Sequence, residues 1–156
     1  MSAFKTLRHF AAPPAAVFAA LAAPDRLARW WGPDGFANTF DVFDFQPGGQ
    51  WRFTMHGPDG AQYPNEATFV AIDPSHAVVI RHTHAPHFTL TIRLQASGAG
   101  TTVTWEQVFD SADVAAAVRH IVEPANEQNL SRWQAEVAAQ GQPQAPGQAQ
   151  APAEGI

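Results

Sequence analysis

The chain has 156 residues, a net charge of −5 and a pI near 5.7, with 46% hydrophobic and 15% charged residues. That length suits one domain able to bury a sizeable core. The acidic balance, with no cluster of lysine and arginine, excludes a nucleic-acid partner, and the lack of cysteine excludes disulfides, thiolate nucleophiles and thiolate metal sites.

The opening MSAFKTLRHF has neither the apolar run nor the cleavage site of a secretory signal. The apolar stretch from Ala15 to Ala23 is too short to cross a bilayer. A cytoplasmic protein without membrane insertion is expected. Residues 4–10 read as a first strand, stopped by Pro13-Pro14, which also open a helix carrying Val17, Phe18 and Leu21 on one face. A second short helix is expected from Asp25 to about Trp31, ended by Gly32-Pro33. One of the adjacent rings Trp30 and Trp31 should pack inward and the other lie near an entrance.

Strands are then expected at residues 39–45, 50–56, 65–72, 77–84, 88–95 and 101–109, each closed by a turn signal. Short connections between successive strands imply an antiparallel meander. In the central stretch GGQWRFTMHGPDGAQYPNE, Trp51, Phe53 and Met55 alternate with polar residues, which gives one buried face. Phe88, Leu90, Ile92 and Leu94 share a face, as do Val103, Trp105, Gln107 and Phe109. Val78 and Ile80 point inward, so His82 and His84 should follow them in phase. Ser111 can cap a helix starting near Asp113, and Pro124 is expected to break it near Val122-Glu123. A longer helix should follow from Pro124 to about Ala139, with Leu130, Trp133 and Val137 on its buried face. Residues 1–140 thus make one domain, and 141–156, rich in Gly, Pro, Gln and Ala, are expected to be a disordered tail.

Several strings carry a resemblance to a known family: APPAAVFAAL, LARWWGP, PGGQWRFTMHGPDG followed by YPNE, TTVTWEQVF, and ANEQNL in the final helix. With the order strand, two short helices, meander and long helix, the chain resembles the START-like, or SRPBCC, superfamily over residues 4 to about 139. Within it, the strings are similar to the bacterial activator-of-heat-shock-90-ATPase-like group, often labelled polyketide cyclase-like. The resemblance implies an α+β helix-grip fold of six to seven antiparallel strands around the C-terminal helix, with a deep hydrophobic cavity between them. Relatives of this kind bind lipids, hormones or polyketides, or act as co-chaperones. The separate N-terminal chaperone-binding domain of the eukaryotic co-chaperone is not expected here, which weighs against chaperone activation.

The expected function is therefore binding of a small hydrophobic or amphipathic molecule in a cavity of roughly 300–1,000 Å³. Its expected lining is Trp31, Trp51, Phe53, Met55, Ile80, Phe88, Leu90, Trp105, Leu130 and Trp133. Tyr63, Asn65, Glu66, His82, His84, Gln107 and Asn126 would supply polar groups. If chemistry accompanies binding, His82 or His84 is the proton carrier, since histidine titrates near neutrality. The H-x-H-x-x-H run of His82, His84 and His87 has suggestive spacing for an ion, but no carboxylate completes the set, and neither metal nor cofactor is expected. No nucleophile elbow is present. The alternative is a co-chaperone-like interaction module without a ligand. Either reading is compatible with a homodimer.

Overall fold

A computed structural model describes residues 2–141. The order of elements is β1 (Ala3–Phe10), α1 (Pro14–Ala22), α2 (Pro24–Trp30), β2 (Ala37–Phe43), β3 (Gln50–His56), β4 (Gln62–Asp73), β5 (Ala77–His82), β6 (Phe88–Ser97), β7 (Gly100–Phe109) and α3 (Ala112–Gly141). All seven strands form one antiparallel sheet in the order β1-β7-β6-β5-β4-β3-β2. The meander thus lies in sequence, and β1 closes it beside the last strand, which is the expected helix-grip arrangement.

The period-two pattern decides which face is inside. Trp51, Ala67, His82, Phe88 and Phe109 sit opposite one another on adjacent strands, as do Phe69, Ile80, Leu90 and Gln107. This face meets the helices. Its side chains, with Val17 and Leu21 of α1, Leu27 and Trp30 of α2, and Leu130, Trp133 and Val137 of α3, form the main core. A smaller cluster of Phe4, Phe109 and Ala115 lies beneath the first turns of α3. Burying each large apolar side chain stabilises the fold by about 1.5–3 kcal/mol.

Several boundaries differ from expectation, four of them in elements that frame the site. Helix α3 runs unbroken for 30 residues with Pro124 inside it, although proline removes one helical hydrogen bond. Ser111 caps it as expected, its Oγ accepting from the Val114 amide at 3.2 Å. Strand β2 ends at Phe43 after an irregularity near Asp41, leaving Phe45 outside. Strand β5 stops at His82, the last residue paired with both β4 and β6, although the Thr83 amide still donates to the Glu66 carbonyl at 3.0 Å; His84 therefore lies in the connection. Strand β4 starts earlier, at Gln62, and tolerates Pro64 because pairing with β5 begins only at Ala67. Most of the expected tail, residues 142–156, lies outside the described residues, while Gly141 ends α3.

Candidate functional site

The middle of the grip is aromatic. On β3, Trp51 stacks on Phe53, with centroids 4.2 Å apart, and on Phe69 of β4 at 5.7 Å. Trp105 rises from β7, four places along the sheet. Flat strands would set β3 and β7 about 19 Å apart, yet one indole touches side chains from both. Trp31, immediately after α2, lies 4.9 Å from Trp51 and 5.8 Å from Trp105, centroid to centroid. It also meets Phe53 edge-on at 6.5 Å and Trp30 at 5.8 Å. The sheet therefore curls around the end of α2, and Trp31 fills the centre of the curl. Trp30 is buried and Trp31 half-buried.

The indole N–H groups separate these rings further. Trp30 Nε1 donates to the Ala20 carbonyl at 2.9 Å, and Trp133 Nε1 to the Val17 carbonyl at 3.2 Å. Trp51 and Trp105, 0% and 2% exposed, hold buried Nε1 donors with no protein partner. A buried donor left unpaired costs about 1–3 kcal/mol.

The main chain carrying Trp31 is pinned from α3 and β2. Arg132 donates from Nη1 to the carbonyls of Trp31, Gly32 and Pro33 at 3.2, 2.9 and 2.7 Å, and from Nη2 to those of Arg29 and Phe36 at 2.8 and 2.9 Å. These are the orphan carbonyls of a helix end and the loop after it. Asn38 Nδ2 adds a bond to the Trp31 carbonyl at 2.9 Å, and Asn129 Nδ2 reaches that of Trp30 at 3.1 Å. Gly32 has φ +95°, a left-handed conformation that favours glycine over any residue with a Cβ. Sequence reading missed Arg132 and Asn38; Asn129, a candidate donor to a ligand from its place early on the last helix, donates to the main chain instead. The available signal was the end of α2 at Trp31-Gly32-Pro33, whose carbonyls needed donors.

Beyond Trp51 along the sheet lies a polar end. His82 stacks on Phe88, with centroids 4.5 Å apart and planes 11° from parallel, and its ring lies 4.2 Å from that of His84. Its Nδ1 is 2.8 Å from the Pro86 carbonyl and its Nε2 is 2.9 Å from Asn65 Oδ1. Both neighbours are acceptors, whereas neutral imidazole offers one N–H. Burial pushes the His82 pKa below the usual histidine value, with the Pro86 bond opposing and His84 and His87 adding to the fall. The neutral ring keeps Nδ1–H on Pro86 and needs a donor at Nε2. Asn65 supplies one if its amide turns, at the expense of the bond from Nδ2 to the Tyr63 carbonyl at 2.9 Å. The amide orientation is thus coupled to the charge on His82.

The remaining expected site residues scatter. Glu66 faces away from the core, with its carboxylate on Arg52 at 3.4 Å, so it does not join His82 and His84. Tyr63 is 46% exposed at the rim, its ring 5.9 Å from Phe36. Gln107 Oε1 accepts from Asn126 Nδ2 at 3.1 Å, so these two satisfy each other. Ile80, Leu90 and Leu130 are core residues, Trp133 packs on Trp30 and Phe10, and Met55 is half-buried. His87 is exposed, and among the described residues no three His, Asp or Glu side chains converge for a metal. Two hollows, of about 650 and 320 Å³, lie between α1 and the end of α3 and between β1 and the middle of α3. Neither is lined by Trp31, Trp51 or Trp105. The Trp31 ring stands at the grip's centre, between the sheet's two aromatic walls.

The family described as Activator of Hsp90 ATPase homolog 1-like protein matches residues 11–138. The chain belongs to that family. Among solved structures it resembles an Arthrobacter aurescens protein (21% identity, TM-score 0.82, covering 88% of this chain and 87% of that one). It also resembles a Nitrosomonas europaea protein (18%, 0.80, 88% and 95%) and a Silicibacter pomeroyi protein titled AHSA1 (22%, 0.74, 88% and 99%). These identities carry the fold alone. No curated protein matches the chain. The described helices include none long and apolar enough to cross a membrane.

Proposed function

We infer that this protein of the activator of Hsp90 ATPase homolog 1-like family binds a small hydrophobic or amphipathic molecule in the aromatic centre of the grip. The observation that carries the reading is the pair of unpartnered buried indole donors, Trp51 Nε1 and Trp105 Nε1, on rings that flank Trp31. An apolar wall with a few unsatisfied polar groups is the usual character of a small-molecule site. Binding is favoured over proton transfer, because the Glu66 carboxylate is on the opposite face, so no acid stands beside His82, both of whose ring nitrogens are engaged, or beside His84, whose buried Nε2 has no protein partner.

The test is native mass spectrometry of the protein as purified, followed by indole ¹H–¹⁵N spectra against a panel of lipophilic compounds. Co-purified mass, or saturable movement of the Trp51 and Trp105 indole signals, is the expected result. Spectra unmoved by fatty acids and by aromatic compounds alike would overturn the reading in favour of a protein-interaction module.

A further inference from the structure

Resting on that reading, we propose that Trp31 is a displaceable plug. Its indole occupies the ligand's own place, and the ligand that replaces it is a flat ring system bearing a hydrogen-bond-accepting oxygen.

Three observations meet here. First, Trp31 is held as a ligand would be held. It lies edge-to-face against Trp51 at 68° and Phe53 at 89°, and tilted against Trp105 and Trp30. Such contacts depend on the ring quadrupole, so an aromatic replacement reproduces them and an alkyl chain does not.

Second, Trp31 is chemically wrong for its neighbours. Indole donates and has no lone-pair acceptor, so it leaves Trp51 Nε1 and Trp105 Nε1 unpaired. A carbonyl or phenolate oxygen on the incoming ring brings a lone-pair acceptor, the kind of partner these donors lack.

Third, the ring can leave without disturbing its surroundings. Trp31 is half-buried, whereas Trp30, Trp51 and Trp105 are buried. Its carbonyl stays fixed by Arg132 and Asn38, and its amide bonds the Leu27 carbonyl at 3.0 Å. Departure is then a side-chain rotation on a fixed main chain, and the walls of the vacated place remain.

The plug sets a population tax on affinity, since only molecules with Trp31 rotated out are competent. The experiment compares wild type, Trp31→Ala and Trp31→Phe by calorimetry with three probes: 1-acetonaphthone, 1-ethylnaphthalene and decanoate. Circular dichroism confirms that each variant is folded. Trp31→Ala is expected to bind 1-acetonaphthone about tenfold more tightly than wild type, with Trp31→Phe between them. The ketone is expected to bind about tenfold more tightly than 1-ethylnaphthalene, with the Trp51 and Trp105 indole protons shifting downfield only for the ketone. In wild type, saturation should make one more tryptophan accessible to iodide.

Equal or weaker binding by Trp31→Ala would overturn the plug, while binding itself would leave the pocket reading standing. Decanoate bound as tightly as the ketone would overturn the ligand class alone. No binding of any probe by wild type or by Trp31→Ala would end both readings. If Trp31→Ala fails to fold, Trp31→Phe and the ketone-to-hydrocarbon ratio in wild type decide.

Discussion

Trp133 of α3 lies flat on Trp30 of α2, with ring centroids 4.6 Å apart and planes within 2° of parallel. Each donates its N–H to a carbonyl of α1, so the pair joins all three helices. The partnered indoles are structural, and the unpartnered ones mark the candidate site. Trp133→Ala is expected to cost about 3–5 kcal/mol, measured by urea denaturation. A loss below about 1 kcal/mol would show that α3 is anchored elsewhere.

The Arg132 guanidinium gathers five carbonyls, which a lysine ammonium cannot span. Arg132→Met should cost about 1.5–3 kcal/mol, and Arg132→Lys should recover less than half of that. Amide exchange across Gly32–Phe36 should quicken in both variants. Unchanged exchange would mean that the loop holds its own shape.

Because burial lowers the His82 pKa, the unfolded chain binds its proton first as pH falls. The stability contributed by neutral His82 is complete above about pH 6.5 and is lost as pH falls from there through the lowered folded value. The melting-temperature advantage of wild type over His82→Gln should therefore shrink between pH 7.5 and roughly 5.5. An advantage that grows on acidification would show that the charged ring, donating to both Pro86 and Asn65, is the stable form.

Glu136 answers acid in a lower range. Burial acts to raise its pKa, and the bonds from Arg29 and Arg26, at 3.0 and 3.1 Å, outweigh that and hold it below the usual carboxylate value. Its contribution is present above about pH 4.5 and is lost as pH falls through the folded value. Wild type and Glu136→Gln should differ near neutrality and converge in acid. A constant gap from pH 7 to roughly 3 would remove the ionic explanation.

Much of this was legible in the residues. Alternation on β3, β6 and β7 placed Trp51, Leu90 and Trp105 inside, because a two-residue period leaves no other face for them. The same rule, applied from Ala67 and Phe69 back along β4, puts Asn65 inside and Glu66 outside, so the grouping of Glu66 with the histidines was avoidable. His84 was not, since pairing with β6 ends at His82 and Phe88, and alternation alone does not show where a strand stops. Nor was the filled centre of the grip. Whether Trp31 lines a cavity or closes it rests on the direction of one side chain, and hydrophobic pattern carries no record of that. Continuity of α3 depended on tertiary contacts that outweigh one missing helical bond at Pro124.

Pro124 also divides α3 mechanically. The polar clamps through Asn126, Asn129, Ser131, Arg132, Gln134 and Glu136 all come after it. The turns before it rest on Phe4 and Phe109 through Ala115, with Arg119 over the Phe4 ring. The missing amide at Pro124 leaves the His120 carbonyl without its usual partner, so backbone amides over residues 112–123 are expected to exchange faster than those of the clamped turns beyond it.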